Sequence, residues 1–558
     1  MGLDVLGLSM RFLKSSLLGS AAAFAAVGAA HAADLPVRKA EPVEFVRVCN
    51  AYGAGFFYIP GTDTCLRVSG RARFEGGYQT SYTRQAGTNG GDTSGYQGRM
   101  RINLDARTQT AYGTLRAFVR LDAGARTGYS GVGTSGTQQR IGQAYPGIGT
   151  DSFGRDQQYA NVDKAFIQFA GLTAGRASSF FDFYAHDFEI AGATAGSDIF
   201  STNLLAYTAT IGNGLSATIS IEDPVFRRTP IFSPFAVSPT VSTGSASNFG
   251  ITVQPTPVFV GPGRFGLVDS IEKSRLPDFV GVVRLDQAWG SAQLSAATHE
   301  LNVGNLSSAA NAGGLGAGPI LVPAHTKNTQ GWAIQGGVKI NTPFIAPGDA
   351  LYLQGAYGDG AQLYTGYSNY TGSYIQSTTT IQGQKFAQYF SDATINPFTG
   401  QLQTSQTFTA VASYLHYWSP EWRSAFFGSY GEQDFSAAAR YQQGQLYGLV
   451  SGLAGSNPFG SNAVGTPGTR FFQLSQALRD TYQFVAGASI IWSPVKDLDI
   501  GVEGFYTQIG LKNGRAIDLD KNPGAYNLVT QINNGSYVPR TASQDSVSQV
   551  RFRVQRDF

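Results

Sequence analysis

The chain has 558 residues, and its composition excludes several classes of protein before any motif is considered. Only 14% of the residues are charged, glycine occurs 70 times and aromatic residues make up 12%, which is typical of a sheet-rich exported protein and not of a cytosolic enzyme. The formal net charge of +3 is spread along the chain without a block of one sign. The sequence therefore predicts no nucleic-acid partner.

Residues 1–32 are predicted to be an export signal. Arg11 and Lys14 precede an apolar stretch, residues 17–29, which ends in the small-residue motif A-H-A. We expect cleavage after this motif, so that the mature protein begins near Ala33. The alternative is an uncleaved signal anchor, which the shortness of the apolar stretch disfavours.

Two cysteines, Cys49 and Cys65, follow the export signal. In an oxidising compartment they are expected to form one disulfide that closes a small loop before the first strand, with free buried thiols as the alternative. Residues 33–65 are accordingly predicted to be a periplasmic segment ahead of the main domain, residues 66–558. No metal or other cofactor is predicted, because the histidines show no ligand spacing to the cysteines or to one another.

Alternating hydrophobicity is the main structural signal in the rest of the chain. No window after the export signal reaches the roughly 20 apolar residues that a spanning helix needs. From Gly98 the chain reads G-R-M-R-I-N-L-D-A-R, which places Met100, Ile102 and Leu104 on one face and polar residues on the other. A turn at residues 108–113 leads into a second strand with the same alternation. This pattern indicates a β-hairpin whose strands face lipid on one side.

Similar hairpins are predicted along the whole chain, with short turns near residues 108–113, 171, 212–214, 287–290, 341–349, 418–421 and 492–497. Together with a first strand at about 66–78 and a last strand at about 545–558, they make about 16 strands, an even number within the range of outer-membrane barrels. Lipid offers no hydrogen-bond partner, so the first strand is expected to pair with the last. The predicted fold is an all-β transmembrane antiparallel barrel with short periplasmic turns and long extracellular loops.

Two features near the strand ends support a position in the outer membrane. Aromatic side chains there are expected to form interfacial girdles, namely Tyr112, Trp289, Trp332, Tyr352, Trp418, Trp422 and Trp492. The last strand reads V-R-F-R-V-Q-R-D-F, so that Phe552 and the terminal Phe558 share one parity. A terminal aromatic residue is the feature by which outer-membrane proteins are recognised for assembly, which predicts the barrel-assembly machinery as a partner.

Charged side chains on the inward parity predict a constriction inside the barrel. The first four strands contribute a basic wall of Arg67, Arg71, Arg73, Arg99, Arg101, Arg116, Arg120 and Lys164. The loop after the fifth strand carries Asp182, Asp187, Glu189 and Asp198. If this loop folds inward, the opposed charges create a transverse field that orients water and dipolar solutes. The alternative is that the arginines are solvated, or paired locally with Glu75, Asp105 and Asp122.

No nucleophile elbow, phosphate loop or dinucleotide fingerprint stands in a convincing setting, so the sequence predicts no enzyme. The favoured function is passive diffusion of ions and small hydrophilic solutes through a water-filled channel. The alternatives are a channel selective for a sugar or an anion, a surface adhesin or receptor with a plugged lumen, and an outer-membrane enzyme with a site at the rim. The basic wall and the acidic loop predict opposite ion preferences, which leaves selectivity open.

Residues 47–70 read R-V-C-N-A-Y-G-A-G-F-F-Y-I-P-G-T-D-T-C-L-R-V-S-G, which closely resembles the N-terminal signature of the alphaproteobacterial general porin family. The resemblance implies a homotrimer of barrels of about 16 strands, embedded in outer-membrane lipid and lipopolysaccharide, with the third loop bent into each pore. It also implies that Cys49 and Cys65 are the paired cysteines of the signature, and that the third loop spans about residues 184–203. The P-E-F-G-G motif of many general porins is absent from that loop.

Overall fold

The architecture is that of a computed structural model, which describes residues 47–79, 94–128, 149–150, 157–198, 201–229, 231–232, 269–270, 275–302, 327–367, 390–396, 399, 401–441, 468–475, 478–518, 521–522 and 528–558. The predicted export signal, residues 1–32, lies outside these ranges.

Within the described residues, sixteen antiparallel strands form one barrel. They are β1 Cys65–Gln79, β2 Ser94–Thr110, β3 Gly113–Gly128, β4 Gln157–Phe169, β5 Leu172–Ala177, β6 Thr202–Gly212, β7 Leu215–Glu222, β8 Asp278–Gln287, β9 Gly290–Leu301, β10 Thr329–Asn341, β11 Ala350–Asp359, β12 Gln406–Tyr417, β13 Trp422–Asp434, β14 Thr481–Val495, β15 Leu498–Leu511 and β16 Gln544–Asp557. Each strand pairs with its neighbours in chain order, and β16 pairs with β1 from Asp557 opposite Arg71 to Gln549 opposite Gln79. The predicted closed barrel and its short turns are confirmed.

Side-chain alternation divides every strand between lipid and lumen. On β2, Met100 and Leu104 are exposed on the outside, whereas Asp105 is buried inside. A register shift of one residue would exchange the two faces, so the strand pairing decides which side chains reach the lumen.

Six of the seven predicted girdle residues are exposed, among them Tyr112, Trp289 and Trp418. The prediction for Tyr352 was wrong. It is only 6% exposed and faces inward, because its neighbour Leu353 occupies the outward position on β11.

The seam between β1 and β16 is closed by tight packing at Gly70. The backbone N–H of Phe558 donates to the Gly70 carbonyl at 3.0 Å, and the Gly70 N–H donates to the Phe558 carbonyl at 2.8 Å. A Cβ at residue 70 would lie 2.6 Å from the Phe558 ring and 2.4 Å from the Arg101 carbonyl oxygen. Only glycine therefore fits where the terminal aromatic ring covers the first strand.

The N-terminal segment is fastened to the short-turn end of the barrel. Cys49 and Cys65 form the expected disulfide. The Arg107 guanidinium on β2 stacks on the rings of Tyr52 and Phe56, at 5.7 and 5.0 Å from their centroids. The disulfide loop thus packs against the lumen face of β2 at its short-turn end.

Short elements occupy the segments between the barrel strands. They are the strands Phe57–Tyr58, Gly149–Thr150, Ile231–Phe232, Asp269–Ser270, Ala393–Ile395, Leu402–Thr404, Ala516–Ile517 and Thr541–Ala542, the 3-10 helices Asn50–Tyr52 and Pro224–Arg227, and the helices α1 Gln362–Thr365, α2 Arg470–Ser475 and α3 Val529–Asn533. Four of these strands pair in a small sheet. Two of them belong to the fourth loop, between β7 and β8, and two to the sixth loop, between β11 and β12. None of the helices in the described part of the chain is long and apolar enough to cross a bilayer.

Candidate functional site: the constriction

The third loop joins β5 to β6 and crosses the lumen. It begins after Ala177, earlier than predicted, because β5 is only six residues long. On the far side of the barrel, the Gln293 amide of β9 donates to the carbonyl of Phe181 at 3.3 Å. The Gln335 amide of β10 donates to the same carbonyl at 2.9 Å.

The middle of the loop is held by β11 and β13. The Gln354 side-chain oxygen accepts from the backbone N–H of Tyr184 at 2.9 Å, and the Ser429 hydroxyl accepts from the N–H of Ala195 at 2.8 Å. Amide and hydroxyl side chains can satisfy buried backbone groups without the desolvation cost of an ion. These strands therefore act as a polar but uncharged support for the loop.

The tip of the loop reaches β15 and β16. The two carboxylate oxygens of Glu503 accept from the backbone N–H groups of Ile190 and Ala191 at 2.6 and 2.7 Å. The Arg553 guanidinium donates to the Ile190 carbonyl. Contacts from β9 round to β16 show that the third loop is folded into the pore.

A glycine on the wall makes room for the loop. Gly337 faces inward on β10, and a Cβ there would lie 2.3 Å from the Phe183 ring. Phe183 also packs edge-on against the Tyr352 ring at 5.6 Å between centroids. The absence of a side chain at residue 337 thus allows an aromatic ring of the loop to dock against the strand.

Glu189 organises the loop from within. Its side chain is buried and accepts from the Tyr184 hydroxyl at 2.8 Å and from the N–H groups of Ala193 and Thr194 at 2.7 and 3.0 Å. Burial alone would raise the pKa of Glu189, but His186 and the Thr194 hydrogen bonds outweigh it and hold the pKa below its usual value. The carboxylate therefore stays ionised as the centre of a hydrogen-bonded turn.

The predicted basic wall lies on the lumen face of β1–β4, where pairs of arginines share single carboxylates. Arg99 and Arg101 lie 2.7 and 2.8 Å from Asp122. Arg107 and Arg116 share Asp105 in the same way, at 2.8 and 2.9 Å. Arg101 also lies 3.4 Å from Asp163. Because these four arginines share three carboxylates, the wall keeps positive charge even though the arginines are paired locally.

The remaining wall residues lie at the two edges of this array. Arg71 contacts Asp557 at 3.0 Å, and Arg73 lies 3.6 Å from Glu75. Arg67 is exposed at the short-turn end. Two further cations lie nearer the third loop. Arg120 lies 3.5 Å from Asp163, and Lys164 donates to the Ser178 hydroxyl.

The four predicted acids of the third loop differ in what they face. The Asp182 side chain is 7% exposed and lies 2.7 Å from Arg227 of the fourth loop. Glu189 is enclosed by its own loop, and Asp198 lies 4.0 Å from the His186 ring. Asp187 is exposed, and its carboxylate accepts from the Tyr352 hydroxyl at 2.9 Å.

Asp187 and the basic wall meet at one cavity. It has a volume of about 240 Å³, and the charged residues of its lining are Asp187, Glu189 and Asp499 together with Arg71, Arg73, Arg423 and Arg553. The loop and the wall therefore bring opposite charges to the same space, as the inward fold of the loop predicts.

Sequence reasoning missed several residues of this site. Arg553 lies on the inward parity of the last strand and could have been read from that alternation. Asp163 could not, because a bulge between β3 and β4 interrupts the period of two at that point. Glu503 and Arg227 become visible only through contacts with distant loops.

The chain is similar to known outer-membrane channels. A family model described as "Porin subfamily" matches residues 34–536. "Porin Omp2b" of Brucella suis is 32% identical over 376 residues, which cover 65% of this chain and 78% of the relative. "Porin Omp2b" of Brucella canis is 38% identical over 221 residues, which cover 38% of this chain and 54% of the relative. Among solved structures, the outer membrane channel DcaP of Acinetobacter baumannii matches 90% of this chain and 99% of its own, with a TM-score of 0.47 and 12% identity.

Proposed function

We propose, because this chain belongs to the porin subfamily, that its constriction selects among small hydrophilic solutes by their charge. The protein is a bacterial outer-membrane porin whose barrel forms a channel. Solutes pass between the basic wall and the third loop, where Arg73, Arg553 and Asp187 border the same cavity. They leave chemically unchanged, so the proposal contains no catalytic step.

The sharing of single carboxylates by paired arginines is the observation that carries this proposal. On the other side of the gap, Asp182 is paired and Glu189 is enclosed, so less negative charge faces the solute than the sequence suggests. A net positive lining attracts anions and repels cations. We therefore propose a preference for small anions.

Single-channel current in a planar bilayer, recorded across a salt gradient, tests this preference. A reversal potential of the sign set by anion flow is the expected result, and one of the opposite sign would overturn it. A current that saturates with one particular sugar or anion would favour the selective-channel alternative. Silence from correctly folded protein would favour an adhesin or receptor with a plugged lumen.

We propose further that three barrels assemble as a homotrimer surrounded by outer-membrane lipid and lipopolysaccharide. The support is the resemblance of the N-terminal signature to that of trimeric porins. Current steps in multiples of three and a trimeric mass of the unheated protein are expected, whereas a monomeric mass in mild detergent would contradict the assembly.

The two ends of the chain carry the proposed export and assembly functions. Residues 1–32 are proposed to be removed during export, so that N-terminal sequencing of membrane-derived protein reads from Ala33. Residues 33–65 are proposed to lie in the periplasm. Phe558, whose ring is exposed on the outer surface of the seam, is proposed to be read by the barrel-assembly machinery.

A further inference from the structure

The lipid-facing surface of β10–β14 carries an apolar groove of about 820 Å³. Its floor consists of small residues in cross-strand register, since Gly336 pairs with Gly355, Gly355 with Ala410, and Ala412 with Gly428. A Cβ at Gly336 would meet no atom within 4 Å. The groove is therefore a shallow apolar depression formed by missing side chains.

The inner side of the same wall is filled, so the groove opens only outward. Phe183 of the third loop packs on the lumen face of Gly337, and Gln354 is hydrogen-bonded to Tyr184. The rim of the groove is formed by the outward side chains of Leu353, Tyr430 and Phe484. An apolar chain lying in the groove would contact its glycine floor and these flanking side chains.

A network of polar side chains stands directly above the groove on the same outer surface. Tyr430, which lines the groove, donates its hydroxyl to Glu432 at 2.6 Å. The Lys512 ammonium lies 2.5 Å from Glu432 and 2.9 Å from Asp434. Two carboxylates thus converge on one ammonium at the outer end of β13.

The network continues across β14 and β15. The Gln508 amide donates to the Tyr482 hydroxyl at 2.7 Å, and the Tyr506 hydroxyl donates to the Gln508 oxygen at 3.0 Å. The rings of Tyr430 and Tyr482 stack at 6.2 Å between centroids. An interfacial girdle accounts for the tyrosines but not for the glutamine or the ion cluster beside them.

The height of the network on the barrel identifies what surrounds it. Ten residues separate Trp422, at the short-turn end of β13, from Glu432. At about 3.3 Å per residue and a tilt of about 40°, this distance corresponds to the apolar band of roughly 25 Å that outer-membrane barrels present to lipid. The polar network therefore lies at the level of the outer-leaflet headgroups.

We propose that the groove and the network together bind one glycolipid of the outer leaflet. An acyl chain lies in the groove, and the sugar hydroxyls exchange hydrogen bonds with Tyr482, Gln508 and Glu432. Because the network contains two carboxylates and one ammonium group, it carries a net negative charge. This charge disfavours a bare phosphate headgroup and favours an uncharged sugar. The inference rests on the outer-membrane location of the porin and not on its conduction.

Native mass spectrometry of the full mature porin in mild detergent tests this site. The probes are diglucosyl diacylglycerol and phosphatidylglycerol with the same acyl chains. We expect the wild-type protein to retain the glycolipid in preference to phosphatidylglycerol. The double substitution Gly336→Leu and Gly355→Leu fills the groove and should weaken retention roughly ten-fold, which equals a loss of about 1.4 kcal/mol.

The matched control is Gly281→Leu on β8, another outward glycine where a Cβ would meet no atom within 4 Å; it should retain the glycolipid. Tyr482→Phe combined with Gln508→Leu should remove the preference for the sugar while the acyl chain still binds. Equal retention of both lipids by the wild type, equal loss in the control, or a change in oligomeric mass on filling the groove would overturn the site. Lipid retention by a protein that passes no current would contradict the proposed function and leave this site intact.

Discussion

The two walls of the lumen use their inward side chains differently. On β1–β4 the arginines of the lumen face share carboxylates, as Arg99 and Arg101 do with Asp122. On β9–β13 the inward side chains are largely neutral, and Gln335 and Ser429 are hydrogen-bonded to the backbone of the third loop. Covering a neutral amide costs less desolvation free energy than covering an ion. A barrel can therefore hold a loop on one wall and leave its charged wall to water and solutes.

The largest effect is expected from closing the space that the uncharged wall leaves for the loop. Gly337→Leu places a side chain where even a Cβ would lie 2.3 Å from the Phe183 ring. Overpacking of this kind costs about 1–3 kcal/mol, so we expect the loop to be displaced and the single-channel conductance and solute size limit to rise. Gly281→Leu, an outward glycine on β8, is the matched control. An unchanged conductance and size limit in the folded variant would show that Phe183 does not position the loop.

The anchor of the loop tip should give the next largest effect. Glu503→Gln keeps the shape of the side chain but replaces one of its two acceptor oxygens with an amide nitrogen. That nitrogen is a donor and cannot accept from the backbone N–H that it faces. Loss of one such hydrogen bond costs about 1–3 kcal/mol, so we expect current fluctuations from a mobile tip, together with faster proteolysis within residues 186–195. Steady current and protease resistance equal to those of the wild type would refute the anchor. Glu421→Gln, at a short turn far from the loop, is the control.

Protonation of Glu189 at low pH should loosen the third loop. Burial raises the pKa of Glu189, but interactions with His186 and Thr194 outweigh this effect and hold the pKa below its usual value of 4.5. Because the folded loop binds the proton more weakly than an unfolded chain does, ionisation stabilises the loop above pH 4.5, and this stabilisation is lost as the pH falls through the folded pKa. We expect the current to become noisier as the pH falls below 4.5. Glu189→Gln should already be noisy at neutral pH, and a quiet variant would contradict the role of the carboxylate.

The smallest effect is expected from the exposed acid of the loop. Asp187→Asn removes one negative charge opposite the basic wall. A unit charge about 8 Å from an ion in water contributes on the order of 0.5 kcal/mol, with opposite signs for anions and cations. Its removal changes the difference between them by about 1 kcal/mol, so the permeability ratio of anion to cation should rise roughly five-fold. Reversal potentials measure this change, and Asp63→Asn, an exposed acid of the N-terminal segment, is the control. An unchanged permeability ratio would show that Asp187 does not face the ion path.

Much of the barrel could be predicted from the sequence because its signals are local. The alternation that distinguishes the two faces of a strand is visible within ten residues, and the residues of a tight turn are visible within four. The hairpin from Gly98 onward could therefore be predicted without knowledge of the neighbouring strands. The same parity placed Arg99, Arg116 and Arg120 on the lumen face. The position of an aromatic residue near a strand end was a weaker signal, because Tyr352 points inward.

The sequence by itself determined the alternation, the number of strands and the sign of the charge on the first wall. Only the tertiary structure decided which acids of the third loop remain free to face that wall. Asp182 is paired with Arg227 through a contact between different loops, and the loop tip is held by Glu503, 313 residues away along the chain. Such contacts have no period and no local spacing, because they form only when barrel closure brings distant strands to one lumen.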